Sequence, residues 1–185
     1  MSLISVLVCS HNSANTLGEA LTSAFAQEPS SQDYEVILVD DGSTDDTATV
    51  AAAAGAKVVS FEQNRGLGAA VRRGLCEIDG QEVAAIAFCD ADGEYAPEEL
   101  ERLVGPILEG EADYVIGSRF AGRIETMRPH RRFGNHVLTI FLSWVARRPI
   151  TDGQSGYRAF SPEAARRAEV IHDFNYAQVL TLDLL

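Results

Sequence analysis

Val83-Ala84-Ala85-Ile86-Ala87-Phe88-Cys89 runs directly into Asp90-Ala91-Asp92-Gly93-Glu94. An unbroken apolar run without alternation suits a strand covered on both faces, which is the situation inside a parallel sheet. Ile4–Cys9, Glu35–Val39, Ala56–Ser60 and Tyr114–Gly117 repeat the pattern. Between these runs the period changes to that of a helix. Leu17, Leu21, Ala24 and Phe25 share one face, as do Thr47, Val50, Ala51 and Ala54, and later Leu100, Leu103, Val104, Ile107 and Leu108. Ser43 with Asp46 three residues on predicts a capping-box-like start for the second helix, and Pro97 suits a first helical position. Strand–helix alternation of this kind predicts an α/β domain with a mostly parallel central sheet flanked by helices. After Gly117 the rhythm changes to an arginine-rich loop, an apolar helix around Phe133–Ala146, a Gly/Ser turn and two more helical stretches.

The 185 residues suit one domain, and no linker or internal repeat divides them. A hydrophobic share of 46% with 23% charged residues excludes disorder and a disulfide-stapled miniprotein. The net charge of −12 argues against nucleic-acid binding, because phosphate backbones demand a basic face. Lys57 is the only lysine, and the window Arg119–Arg132 holds Arg119, Arg123, Arg128, Arg131 and Arg132 against Glu125 alone. Such a cluster suits either a solvated surface or an anionic ligand. Cys9, Cys76 and Cys89 have no metal-ligand spacing, so free thiols in a reducing cytoplasm are expected. No signal peptide is visible, and Val137–Ala146 is too short to span a bilayer. A cytoplasmic protein, soluble or peripheral at the inner face of the plasma membrane, is the expectation. The last residues lie in an apolar helical run without a stop signal, so the fold is expected to continue beyond Leu185.

Ligands of open parallel sheets bind outside the carboxyl ends of the strands. Three such ends are polar here: Ser10-His11-Asn12, Asp40-Asp41-Gly42-Ser43 and Asp90-Ala91-Asp92-Gly93-Glu94. None is a dinucleotide fingerprint, and Gly66-Leu67-Gly68 lacks the Lys-Ser/Thr of a phosphate loop. Asp90 and Asp92 would repel each other unless a cation or hydrogen bonds compensate, and Mg²⁺ or Mn²⁺ held by such carboxylates completes its shell with substrate phosphate oxygens. The alternative is an acidic loop that merely starts a helix.

Taken in order, Ile4–Asn12, Val39–Asp45, Asn64–Ala69, Asp90–Asp92 and Gly117–Phe120 resemble glycosyltransferase family 2. The segment Thr151–Phe160 resembles its polyprenyl-phosphate branch, the dolichyl-phosphate mannosyltransferase type. The resemblance implies the nucleotide-diphospho-sugar transferase fold (GT-A, Rossmann-like) over 1–185. Residues 1–117 would be the nucleotide-sugar-binding half and 118–185 the acceptor-side half. It implies a metal-dependent, inverting transfer of a hexosyl unit from a UDP- or GDP-sugar to a polyprenyl phosphate. Cys9, His11 and Ser13 occupy the first nucleotide loop, where the family usually has Pro, Tyr and Glu. Asp40 and Asp41 match the acidic pair facing the nucleoside, with Arg65, Ala91 and the Asp90/Asp92 motif completing the donor site. Asp90, Asp92 and Glu94 would hold the metal. Arg119, Arg131 and Arg158 would contact phosphates or the acceptor, and Asp152 would act as base or acceptor orienter.

The chemistry agrees with that placement. Loss of a nucleoside diphosphate builds negative charge on the leaving oxygen, which a divalent cation stabilises. A phosphate acceptor is already anionic and is held well by forked arginines, whereas a sugar hydroxyl would need a carboxylate base. Two other readings remain open at this point: transfer to a saccharide hydroxyl, or a nucleotide-sugar-binding module without turnover. Val137–Ala146, flanked by Arg131, Arg132, Arg147 and Arg148, reads either as core packed on the sheet or as an interfacial helix beside a lipid-linked acceptor. His130, His136 and His172 lack ligand-like spacing and are expected in structural or surface roles.

Overall fold

β1 (Leu3–Ser10) lies inside a six-stranded sheet in the computed structural model, which describes residues 3–25, 33–90, 99–118, 129–173 and 177–184. It pairs in parallel with β2 (Asp33–Asp40) on one side and β4 (Val83–Asp90) on the other. β3 (Lys57–Ser60) continues the parallel set beyond β2. Ile4, Val6 and Val8 pack into one helical layer, and Leu7 and Cys9 into the other. This is why the apolar runs do not alternate: both faces of these strands are covered.

The first layer comprises α1 (Ala14–Phe25), α2 (Thr47–Ala53) and α4 (Leu100–Leu108), whose Leu17, Leu21, Ala51, Leu103 and Val104 are buried. The second comprises α3 (Leu67–Ile78), α6 (Pro162–Arg167) and α7 (Ala177–Asp183), contributing Ala70, Val71, Ala164 and Leu180. At Gly74 a Cβ would stand 2.1 Å from Leu7 Cδ1, so α3 rests directly on β1. Burying a side chain such as Leu7 contributes about 1.5–3 kcal/mol.

The strand order is β3-β2-β1-β4-β6-β5, with β5 at Tyr114–Ile116 and β6 at Arg158–Phe160. β6 is antiparallel to both neighbours: Phe88 faces Arg158 across one ladder and Ile116 faces Arg158 across the other. The five expected strands are all present, and the sheet is mostly parallel as expected. β6 falls where a turn leading into helices is read from the sequence, because three residues carry no detectable period. Its insertion positions the site. An antiparallel strand has its amino end where its neighbours have their carboxyl ends, so Asp152–Tyr157 arrives at the edge that Asp90 terminates.

Two further expectations change. Ser43 and Asp46 form no capping box: α2 starts at Thr47, and its N-cap residue, Asp46, makes no side-chain cap bond. Asp45 takes the role, its carboxylate accepting from the Thr47 amide at 3.1 Å and from the Thr47 hydroxyl. The apolar helix, α5, spans Pro129–Ala146, and only part of it is core. Thr139 and Leu142 are buried, whereas Val137, Leu138, Ile140, Phe141, Trp144 and Val145 are exposed. The reading of this helix as plain core therefore fails for its outer face. Among the described residues, no helix is long and apolar enough to cross a membrane. Pro97 lies outside the described residues.

Candidate functional site at the carboxyl edge

The tips of β1, β2 and β4 stand side by side, Ser10 opposite Asp40 and Cys9 opposite Asp90. Asp40 and Asp41 are buried, and their chemistry is partly spent on the chain itself. Asp40 Oδ1 accepts from the Ser43 amide at 3.1 Å, closing the turn after β2. Asp41 accepts from the amides of Arg65 at 2.7 Å and Gly66 at 2.9 Å, one on each carboxylate oxygen. A carboxylate accepting two amides makes two charge-assisted hydrogen bonds. Here it locks the loop ahead of α3 against β2. Gly42 permits the approach: its φ is +66°, and a Cβ would lie 2.3 Å from the Gln63 carbonyl carbon. Arg65 is left exposed, its guanidinium 4.9 Å from the Phe61 ring centroid. That contact steadies a cation at the rim of the edge.

The loops after β1 and β2 are tied together through Asn12, a residue that sequence reasoning missed as an organiser. Its φ of 51° is left-handed, which Asn tolerates better than most residues. Its amide donates to Ser43 Oγ at 2.9 Å, and its Oδ1 accepts from the Thr44 amide at 2.8 Å. The side-chain amide is thereby oriented, so Nδ2 donates to His11 Nε2 at 3.1 Å, while His11 Nδ1 donates to the Asp41 carbonyl at 2.8 Å. These partners select the tautomer that donates from Nδ1 and accepts at Nε2. The Ser13 amide donates to Thr47 Oγ1 at 2.9 Å, and its hydroxyl to the His11 carbonyl at 3.2 Å. A φ of +51° leaves no one-dimensional signal beyond the presence of Asn itself.

Cys9 turns its side chain away from the edge. Its side chain packs among Ile37, Val39 and Phe88 in the core. Burial pushes the thiol well above its ordinary range, and the carboxylates of Asp90 and Asp41 add to the shift. It is an inert thiol that offers the edge only its backbone. Cys76 is exposed, and the Cys89 thiol donates to the Asp90 carbonyl at 3.3 Å.

Asp90 is half-buried at the tip of β4. Its carboxylate is a hard oxygen donor of the kind that Mg²⁺ or Mn²⁺ takes. Ala91, Asp92 and Glu94 lie outside the described residues, among which no group of three ligating side chains occurs. The donor chemistry at Asp90 fits a divalent ion. Ser10 Oγ and Ser118 Oγ, at the tip of β1 and just beyond β5, are buried without a hydrogen-bond partner. An unmatched buried hydroxyl costs about 1–3 kcal/mol, so both tips keep polar capacity that the described residues do not use.

Beyond the tip of β4, Asp152 is buried and its Oδ1 accepts from the Gln154 amide at 3.1 Å. The next amide, Gly153, donates to Thr139 Oγ1 on α5 at 3.2 Å. A cavity of about 410 Å³ lies here, lined by Ser118, His136, Thr139, Ile140, Ser143 and Thr151 among others. Arg158 is 0% exposed. Its Nε donates to the Ser155 carbonyl at 2.7 Å, and its terminal nitrogens to the Ala177 carbonyl at 3.0 Å, Thr181 Oγ1 at 2.8 Å, the Gly153 carbonyl at 3.3 Å and the Tyr114 hydroxyl. This geometry joins β6 to β5, α7 and the Asp152 loop. Burial raises the Tyr114 hydroxyl above its ordinary pKa, with Arg158 opposing. Arg119 lies outside the described residues; Arg131 is in the first turn of α5, with its side chain outside them. A second cavity, of about 430 Å³, sits between α3 and α6 near Val83, toward the opposite edge of the sheet.

A mostly parallel sheet with acidic strand tips and an inserted antiparallel strand defines the GT-A class of α/β fold. The chain belongs to glycosyl transferase family 2, whose model matches residues 5–172. A UDP-N-acetylglucosamine–dolichyl-phosphate N-acetylglucosaminyltransferase of Methanococcus voltae is 32% identical, over 71% of this chain and 60% of its own. A dolichyl-phosphate beta-glucosyltransferase of Saccharomyces cerevisiae is 30% identical, over 94% of this chain and 57% of its own. The glucosyl-3-phosphoglycerate synthase of Mycobacterium tuberculosis, in complex with Mn²⁺, UDP-glucose and phosphoglyceric acid, superposes with a TM-score of 0.75. The two share 26% identity, over 99% of this chain and 68% of that one. The chain spans between 39% and 67% of the length of the first curated relatives it matches.

Proposed function

We propose that this domain binds a nucleotide-diphosphate sugar across the carboxyl edge and transfers its hexosyl unit, with inversion, to a lipid-linked phosphate. The observation that carries the reading is the insertion of β6. It sets the Asp152–Tyr157 loop beside the tip of β4, so donor-side and acceptor-side residues share one edge. Asp40, with Oδ2 outside its turn bond, His11 and Ser13 face the nucleoside, and Arg65 meets the anionic part of the donor. Asp90, with Asp92 and Glu94, holds Mg²⁺ or Mn²⁺. When bound, that ion stabilises negative charge on the leaving diphosphate. Arg119 and Arg131 hold the acceptor phosphate by charge-assisted hydrogen bonds. Asp152 orients the acceptor loop through its bond to Gln154. The names of the dolichyl-phosphate relatives support a lipid phosphate as acceptor.

Calorimetric titration with UDP-glucose, GDP-mannose, UDP and GDP, each with Mn²⁺ or with EDTA, tests the donor half. Manganese-dependent binding of one base series is expected; binding of neither series sinks the donor assignment. Radiolabel transfer from that donor to a short-chain polyprenyl phosphate tests the acceptor half. A second reading is favoured by the phosphoglyceric acid in the mycobacterial structure: a water-soluble phosphorylated acceptor. Label appearing on such a compound and not on the prenyl phosphate would replace the lipid by it.

A further inference from the structure

Residues 168–173, which follow α6, run across the first two turns of α3. Val170 is buried in the helical layer that holds Ala70 and Val71 of α3. Its carbonyl accepts from Arg72 Nη1 at 2.6 Å, and the other terminal nitrogen of Arg72 pairs with the Asp173 carboxylate. The Asp173 carbonyl accepts from the Gly68 amide at 2.5 Å. A Cβ on Gly68 would stand 2.0 Å from the His172 carbonyl oxygen, so a side chain there would displace the segment. The near end is fixed as well, the Glu169 amide donating to an Asp183 carboxylate oxygen on α7 at 2.8 Å. The segment is thus a strap between α7 and the start of α3.

The start of α3 needs such a holder. Its N-cap residue, Gly66, has no side chain that could accept from the first amides of the helix. The acceptors come from distant parts of the chain instead: Asp41 takes the Arg65 and Gly66 amides, and Asp173 takes that of Gly68. We propose that Asp173 and Arg72 are positioning residues for donor binding. Together they fix the first turn of α3, and through it the place of Arg65 at the carboxyl edge. Asp41 holds this loop from β2 and the strap holds it from the side of α7, so residues beyond Gly117 complete a loop of the first half. The inference rests on the assignment of Arg65 to the anionic part of the donor. Arg72 and Asp173 pair at the surface, where an ion pair alone adds little stability. Their role therefore shows in loop order and in nucleotide affinity.

Amide hydrogen exchange in the free protein reads the strap without a ligand. In Arg72→Gln the Arg65 and Gly66 amides should exchange roughly threefold to tenfold faster than in wild type. Gly68→Ala should push the strap away and quicken them roughly tenfold or more, although alanine by itself favours a helix over glycine. Calorimetric titration with UDP and with GDP, in Mn²⁺, should show both variants losing affinity for the nucleotide that wild type binds. Far-UV circular dichroism checks that they fold. A double-mutant cycle separates positioning from a structural role: the affinity loss of Arg72→Gln should vanish in an Arg65→Ala background. Additive losses overturn the proposal, as do wild-type exchange and affinity in both strap variants. Weaker binding by Arg65→Ala with none by Arg72→Gln strikes the positioning role alone. Wild-type affinity in Arg65→Ala strikes the donor assignment of Arg65, and the positioning role falls with it.

Discussion

At the β1–β2 end of the carboxyl edge, two loops hold each other through Asn12, Ser43, Thr44, Asp45 and Thr47, and a third is locked by both oxygens of Asp41. At the other end, α5 is attached through Thr139, Leu142 and Ser143 and turns most of its apolar side chains outward. The first region spends polar groups on positioning backbone. The second leaves apolar area uncovered, which a chain selected only for stability would bury. The difference separates a loop cluster held rigid by its own hydrogen bonds from a helix whose apolar face stays exposed.

The contrast can be broken most severely between the two regions, at Arg158. Arg158→Ala should destabilise the domain by about 3–5 kcal/mol, since several buried acceptors lose their donor at once. Urea unfolding reads the loss, and a midpoint unchanged from wild type would remove Arg158 as the joint between β6 and α7. Asp41→Ala comes next, at about 2–3 kcal/mol, because two amides lose a charged acceptor. It should weaken nucleotide binding in parallel, and wild-type affinity in the variant would show that the Arg65–Gly66 loop does not shape the donor pocket. Asn12→Ala removes the ties between loops and places Ala in a left-handed conformation, a cost of about 1–2 kcal/mol.

Asp45 adds a pH dependence. Its carboxyl is held below the ordinary range, chiefly by the Thr47 hydroxyl. Its contribution is therefore present above the ordinary carboxylate pKa and lost as pH falls through the lowered value. Thermal melts below about pH 4 should show a wild-type decline that is smaller in Asp45→Asn; identical slopes would dismiss the capping role. The smallest effect sharpens the comparison from the other side. Phe141→Ser should leave stability within about 0.5 kcal/mol, since the ring is already exposed. A large loss would mean that the face is covered in the isolated chain.

Much of the carboxyl edge was legible in one dimension. Continuous apolar runs specify strands covered on both faces, and a strand's end in a parallel sheet is where polar residues can gather, so Asp40, Asp41 and Asp90 could be placed by local pattern alone. The burial of the Cys9 and Arg158 side chains was not legible, because sequence shows which residue stands at a position but not which way its side chain faces. β1 sends Cys9 into the core, and Arg158 points into the packing between β6 and α7. β6 is too short to have a period and exists only because two other strands offer it ladders, so its position and direction are tertiary facts. The same holds for α5, whose apolar stripe is compatible with core or interface until its neighbours are known. Local pattern determined the strands, the helices and the acidic tips, because these depend on residues close in the chain. Their assembly into one edge, and the outward face of α5, were decided by long-range pairing and packing.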